Sequence, residues 1–154
     1  MPKPVNYSGS WTLDRSRSTG LPSYYERVRS HRLEIDQRGW RLDVAVSVDI
    51  GGAASDTMRF VYAMDGKETR AQTPVRGPNG MTPVPTVMHA TVSRDRQVHV
   101  TIERDIAMNG SSFHAVTKED WLLSADGGML TIHRTDDTPR GTMQSDLVFA
   151  RNAR

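Results

Sequence analysis

The chain has 154 residues, 20 basic against 18 acidic for a net charge of +2, with 36% hydrophobic, 6% aromatic and 25% charged residues. These proportions fit one folded domain over residues 1–154 and exclude disordered or membrane-spanning compositions. The two signs of charge are interspersed, which excludes the basic tracts of nucleic-acid binders, and the absence of cysteine excludes disulfides, thiolate metal sites and thiol nucleophiles together.

No apolar run approaches the roughly 20 residues of a membrane-spanning helix. The N-terminal MPKPVNYSG has no apolar secretory stretch, so the expected location is the cytoplasm, or the periplasm or exterior if a leader has been removed. The first predicted strand runs from Ser8 to Asp14 and contains Gly9-x-Trp11. Residues 15–30 break the alternation with Gly20, Pro22 and an Arg/Ser cluster. They read as a long connection whose one helical stretch is short and lies within Tyr24 to Arg29. A second strand begins near His31 with Leu33 and Ile35 on one face, and Arg38-Gly39 turns into a third. There Trp40, Leu42, Val44, Val46 and Val48 alternate with Arg41, Asp43, Ala45, Ser47 and Asp49. After GGAAS, a fourth strand carries Met58, Phe60, Tyr62 and Met64 on one face. Asp65-Gly66 closes a tight hairpin into a short fifth strand, Lys67 to Gln72. The Pro/Gly-rich TPVRGPNGMTPVP that follows reads as the second long loop.

From Thr86 onward, turn signals at Arg94-Asp95-Arg96, Asn109-Gly110, Asp126-Gly127 and Pro139-Arg140 separate the remaining strands. Such even spacing predicts an all-β fold, a single antiparallel up-and-down barrel of about 8–10 strands with at most one short helix. Closure is expected because a flat sheet of that size leaves one face and two edges uncovered. Alternating direction sends the short turns at 38–39, 65–66, 94–96 and 126–127 to one end. Residues 15–30 and 73–86 go to the other, as flaps over an open mouth.

The segments NYSGSWTLDRSRS, DGKE at 65–68, LSADGGMLTIHR and the closing DLVFAR resemble the bacterial lipocalin-like domains of the calycin group, over Tyr7 to Arg151. The resemblance implies a β-barrel in which the Trp of G-x-W plugs the closed end and an Arg of the last strand packs over it. Trp11 and Arg151 stand at those positions. The longer lipocalin motifs and the C-terminal helix are missing.

Strand parity turns Arg104, Glu119 and Arg134 inward, with Phe113, Trp121, Ile132, Met143, Ser145 and Phe149. Two-residue loops set Glu119 opposite Arg134 and Arg134 opposite Ser145, with Arg104 two steps nearer the open end. A charge left unpaired in an apolar barrel is costly, so these groups either pair or meet a polar ligand. One reading is an internal salt bridge that fixes register. Another is a site in which Arg134 or Arg104 receives a carboxylate, phenolate or enolate, with Glu119 and Ser145 beside it. The ligand's apolar body would then rest on Met58, Phe60, Tyr62 and Phe113 under a lid at Tyr24.

On the outer face the same registers line up His99, Asp120, His133 and Asp146, read as a surface charge ladder in preference to a metal site. Ser8, Ser10 and Ser145 lack a G-x-S-x-G elbow, and neither Gly51-Gly52 nor residues 76–80 has the form of a phosphate loop, so no cofactor is expected. The function expected is binding of a small, largely hydrophobic molecule with one anionic or hydrogen-bonding group inside the barrel. The alternative is a small barrel enzyme of isomerase, cyclase or hydro-lyase type, with Glu119 as acid/base and Arg134 or Arg104 stabilising negative charge. A third reading makes the barrel structural and gives its outer face a protein partner.

Overall fold

The computed structural model describes residues 2–51, 56–77, 80–108 and 110–153. Ten strands form one antiparallel sheet: β1 (Gly9–Leu13), β2 (Ser30–Arg38), β3 (Arg41–Asp49), β4 (Asp56–Ala63), β5 (Thr69–Gly77), β6 (Gly80–Val92), β7 (Val98–Met108), β8 (Ser111–Leu123), β9 (Met129–Thr138) and β10 (Gly141–Arg151). The order across the sheet is β4-β3-β2-β1-β10-β9-β8-β7-β6-β5. Every strand pairs with its sequence neighbour except β4 with β5, and β10 closes back on β1. The two edge strands approach each other without joining by hydrogen bonds, so the up-and-down barrel is nearly closed.

Period-2 patterning explains the curl. On β3, Leu42, Val44, Val46 and Val48 are buried while the residues between them are partly open, so one face of the sheet is apolar along its length and wraps around itself. The expected short helix is a 3-10 turn at Ser23–Arg27. The flap that contains it is pinned: Thr19 and Asp146 exchange backbone hydrogen bonds of 3.0 and 2.9 Å, and Tyr25 and Val28 are buried.

The second long loop expected at 73–86 is instead strand. Thr69–Gly77 and Gly80–Val92 pair continuously, with Pro74 opposite Pro83 and Gln72 opposite Pro85. A hydrogen-bonded antiparallel pair exchanges two N–H donors, which facing prolines lack, so Pro74 and Pro83 must occupy a non-hydrogen-bonded position. Their nitrogens then point away from the β5–β6 ladder. On one side lies the unjoined edge of β5; on the other, β6 does not begin pairing with β7 until Thr86. Proline is tolerated here because no ladder needs its N–H. The Gly52, Pro78-Asn79 and Asn109 positions of the expected turns lie outside the described residues.

The end with the short turns is sealed. Trp11 and Tyr7 are fully buried, Trp11 Nε1 donates to Tyr7 O at 3.0 Å, and the Arg151 guanidinium stacks 4.3 Å over the Trp11 ring. Arg151 also donates to Ser8 O at 2.7 Å and Gly127 O at 2.9 Å, so one side chain ties the last strand to the first and to the β8–β9 turn. Tyr7 extends the plug beyond the G-x-W motif. Its oxygen accepts from Val98 N, its O–H is directed at Gln97 Oε1, and its ring meets Trp121 edge-on at 5.5 Å.

Candidate functional site

Between that floor and the flap lies a cavity of about 440 Å³, within the range of about 300–1,000 Å³ usual for small-molecule sites. Leu33, Val44, Val46, Ile132, Leu147 and Phe149 form much of its wall, Met58, Phe60 and Tyr62 line it from β4, and Tyr24 and Tyr25 stand at the flap. The wall is apolar because the β2 and β3 residues that line it, His31 apart, are all aliphatic: Leu33, Val44, Val46 and Val48. Tyr24 is 48% exposed while Tyr25 is buried, so the pair straddles wet and dry sides of the mouth.

Arg104, Glu119 and Arg134 all line this cavity. Their registers are as parity requires: Glu119 faces Arg134, Arg134 faces Ser145, and Arg104 faces Thr86 and Ala115. Glu119 and Arg134 nevertheless do not form the internal salt bridge of the structural reading. Arg134 Nε turns to Asp136, 3.1 and 3.3 Å from its two carboxylate oxygens, and Asp136 also accepts from Thr117 Oγ1 at 2.7 Å. Glu119 Oε1 accepts instead from Trp121 Nε1 at 3.0 Å. Burial lowers the Arg134 pKa, but Glu119, Asp136 and the flap tyrosines outweigh it, leaving the guanidinium firmly charged.

Arg104 is held differently. Thr86 Oγ1 donates its single proton to Val84 O at 3.0 Å, so in the 2.6 Å contact between the two threonines Thr73 is the donor. Thr73 Oγ1 is then free to accept from Arg104 Nε at 3.2 Å. Burial and the like charge of Arg134 pull the Arg104 pKa down from its ordinary value. Among the described residues no carboxylate lies within ion-pairing distance of Arg104, and its terminal N–H groups have no acceptor. Arg104 is thus a partly buried cation in the wall of an apolar cavity whose one hydrogen-bond partner among the described residues is a hydroxyl, which leaves donors of the kind that pair with carboxylates.

Of the other expected site residues, Ser145 is buried against Arg134 but is not part of the cavity wall, and Phe113 packs with Val84, Ile106 and Ala115 in a second apolar cluster. Met143, expected inward, is 55% exposed. Three polar groups escaped sequence reasoning. Asp136 continues the inward parity one step beyond Arg134, and His31 shares the parity of Leu33 and Ile35, so both were readable. The Thr73–Thr86 pair was hidden by reading 73–86 as loop. His31 Nδ1 lies 3.1 Å from Tyr25 Oη and its ring stands edge-on to Phe149. Burial, then the Arg134 charge, lowers its pKa to about 4.

On the outer face, His99 faces Asp120, Asp120 faces His133 and His133 faces Asp146. The row resolves into separate contacts, His99 Nδ1 to Asp120 at 2.5 Å and His133 Nδ1 to Asp146 at 2.6 Å. Among the described residues no group of three or more His, Asp or Glu side chains is placed to hold a metal ion.

Fold and cavity define an up-and-down antiparallel β-barrel with an internal chamber. No family model and no curated protein matches the chain. Among solved structures it is similar to zebrafish ileal bile acid-binding protein complexed with cholic acid, at 14% identity and a TM-score of 0.48, over 95% of this chain and 98% of that one.

Proposed function

We propose that this barrel binds a small, largely apolar molecule through one anionic group, which sits on Arg104. The observation that carries the reading is the state of that side chain: a cation in the wall of an apolar chamber, tethered at Nε by Thr73 and with its remaining donors unmatched among the described residues. Burial without a counter-ion costs several kcal/mol, and a ligand carboxylate, phenolate or enolate recovers it as a bidentate pair. Arg134 is already neutralised by Asp136 and adds field rather than a second anchor. Met58, Phe60 and Tyr62 form the surface on which the apolar body rests, with Tyr24 and Tyr25 covering the mouth. This is the role of a calycin-type carrier, and the Trp11–Arg151 plug fits it.

Native mass spectrometry of the protein after exposure to a cell lysate tests the reading. The expected result is an adduct of one small acid that is absent when Arg104→Met is treated in the same way. An adduct retained in Arg104→Met would overturn the assignment. Chemical conversion of the captured molecule, lost in Glu119→Gln, would show a barrel enzyme in place of a carrier.

A further inference from the structure

Two polar groups in the cavity are left unused by an anion on Arg104. Glu119 receives a single hydrogen bond, from Trp121 Nε1, although a carboxylate offers about four acceptor sites. Tyr62 is 4% exposed, lines the same cavity, and its hydroxyl has no hydrogen-bond partner among the described residues. Tyr62 and Glu119 are brought together by Trp121, whose ring meets Tyr62 edge-on at 6.5 Å and whose N–H holds the carboxylate. Both lie deep, because Trp121 itself packs on the Tyr7 plug. Arg104 lies toward the mouth: on β7 Glu119 is opposite Val100 and Arg104 is four residues further on, about 13 Å along the strand.

Resting on the anion site proposed above, we infer that the ligand carries a second polar group, a hydroxyl at the end remote from its anion, which donates to Glu119 and accepts from the Tyr62 O–H. A hydroxyl supplies a donor and an acceptor at once, which is what this pair lacks. An ammonium there would meet Arg134, directly opposite Glu119 across the β8–β9 pair. A methyl terminus would dehydrate both groups and leave them unmatched, which is costly for a carboxylate above all. The cavity is thus built for a hydroxylated hydrophobic acid that enters hydroxyl first, its two polar ends reaching side chains whose backbone positions lie about 13 Å apart along the strands.

Calorimetric titration of the full chain with decanoate and with ω-hydroxydecanoate separates the possibilities. The hydroxy acid is expected to bind about tenfold more tightly than decanoate. That ratio should fall to about one in Glu119→Leu and part of the way in Glu119→Gln, which keeps the shape and an acceptor but not the charge. Should Glu119→Leu fail to fold, the glutamine variant carries the comparison. Equal binding of the two acids to the wild-type protein, or a ratio that survives both substitutions, overturns the hydroxyl pole while leaving the Arg104 site intact. Failure of both acids to bind the wild-type protein defeats the Arg104 reading itself.

Discussion

His31 sits under the flap, between Tyr25 and Phe149 and within the field of Arg134. Its folded pKa of about 4 is below the roughly 6.5 of an unfolded histidine, so between those values the unfolded chain binds the extra proton. Stability from this group is therefore complete above about pH 6.5 and lost as the pH falls toward 4, by up to about 2 kcal/mol between pH 7 and pH 5. His114 has the opposite sign: its hydrogen bonds to Asp105, then Glu103, raise its pKa, and its contribution is lost as the pH rises. Urea unfolding at the two pH values should show the fall in the wild-type protein and a shallower one in His31→Gln. Equal slopes would show that His31 does not titrate on unfolding. Residue-level chemistry was legible where parity was followed to its end, as for Arg104, Glu119 and Arg134. Which of those charges pair was not legible, since Arg134 chooses Asp136 over the Glu119 opposite it by side-chain reach, which no alternation pattern encodes.

At the scale of elements, the β1–β10 seam is the closure on which the barrel depends. Gly9 has φ +144° there, and a Cβ at that position would run into the Arg151 guanidinium. Gly9→Ala should cost about 1–3 kcal/mol from backbone strain and from displacing Arg151 off Trp11. A thermal unfolding midpoint within error of wild type would remove the seam from the account. The opposite feature is the unjoined pair β4 and β5. Half of the amides of each edge strand lack a ladder partner on the far side, so hydrogen exchange should be fastest there and slowest in β7 and β8, which are flanked on both sides. Uniform protection of all ten strands would mean that the barrel closes in solution. Alternation revealed β2, β3 and the meander from β7 to β10, whereas Pro74, Pro83 and Pro85 disguised the paired β5 and β6. Those prolines mark where the ladders stop, and that is a property of neighbours in space.

At the scale of the whole molecule, the container was legible and its volume was not. Turn spacing and inward parity define a barrel, but an interior of about 440 Å³ depends on how all the inward side chains pack around one another and on how the flap settles over them. Trp121 and Phe149 line the chamber from β8 and β10 and Phe60 and Tyr62 line it from β4, and the space between these walls is what remains open. On the proposed reading, the charged pole at Arg104 makes that space a site for an anion. The most direct measurement is a titration of the wild-type protein and Arg104→Met with decanoate and with decanol, which differ only in the head group. Decanoate should bind the wild-type protein more tightly than decanol, and the preference, of about tenfold or more, should vanish in Arg104→Met. Binding that ignores the head group, or a preference for decanoate that survives Arg104→Met, would contradict an anion held on Arg104.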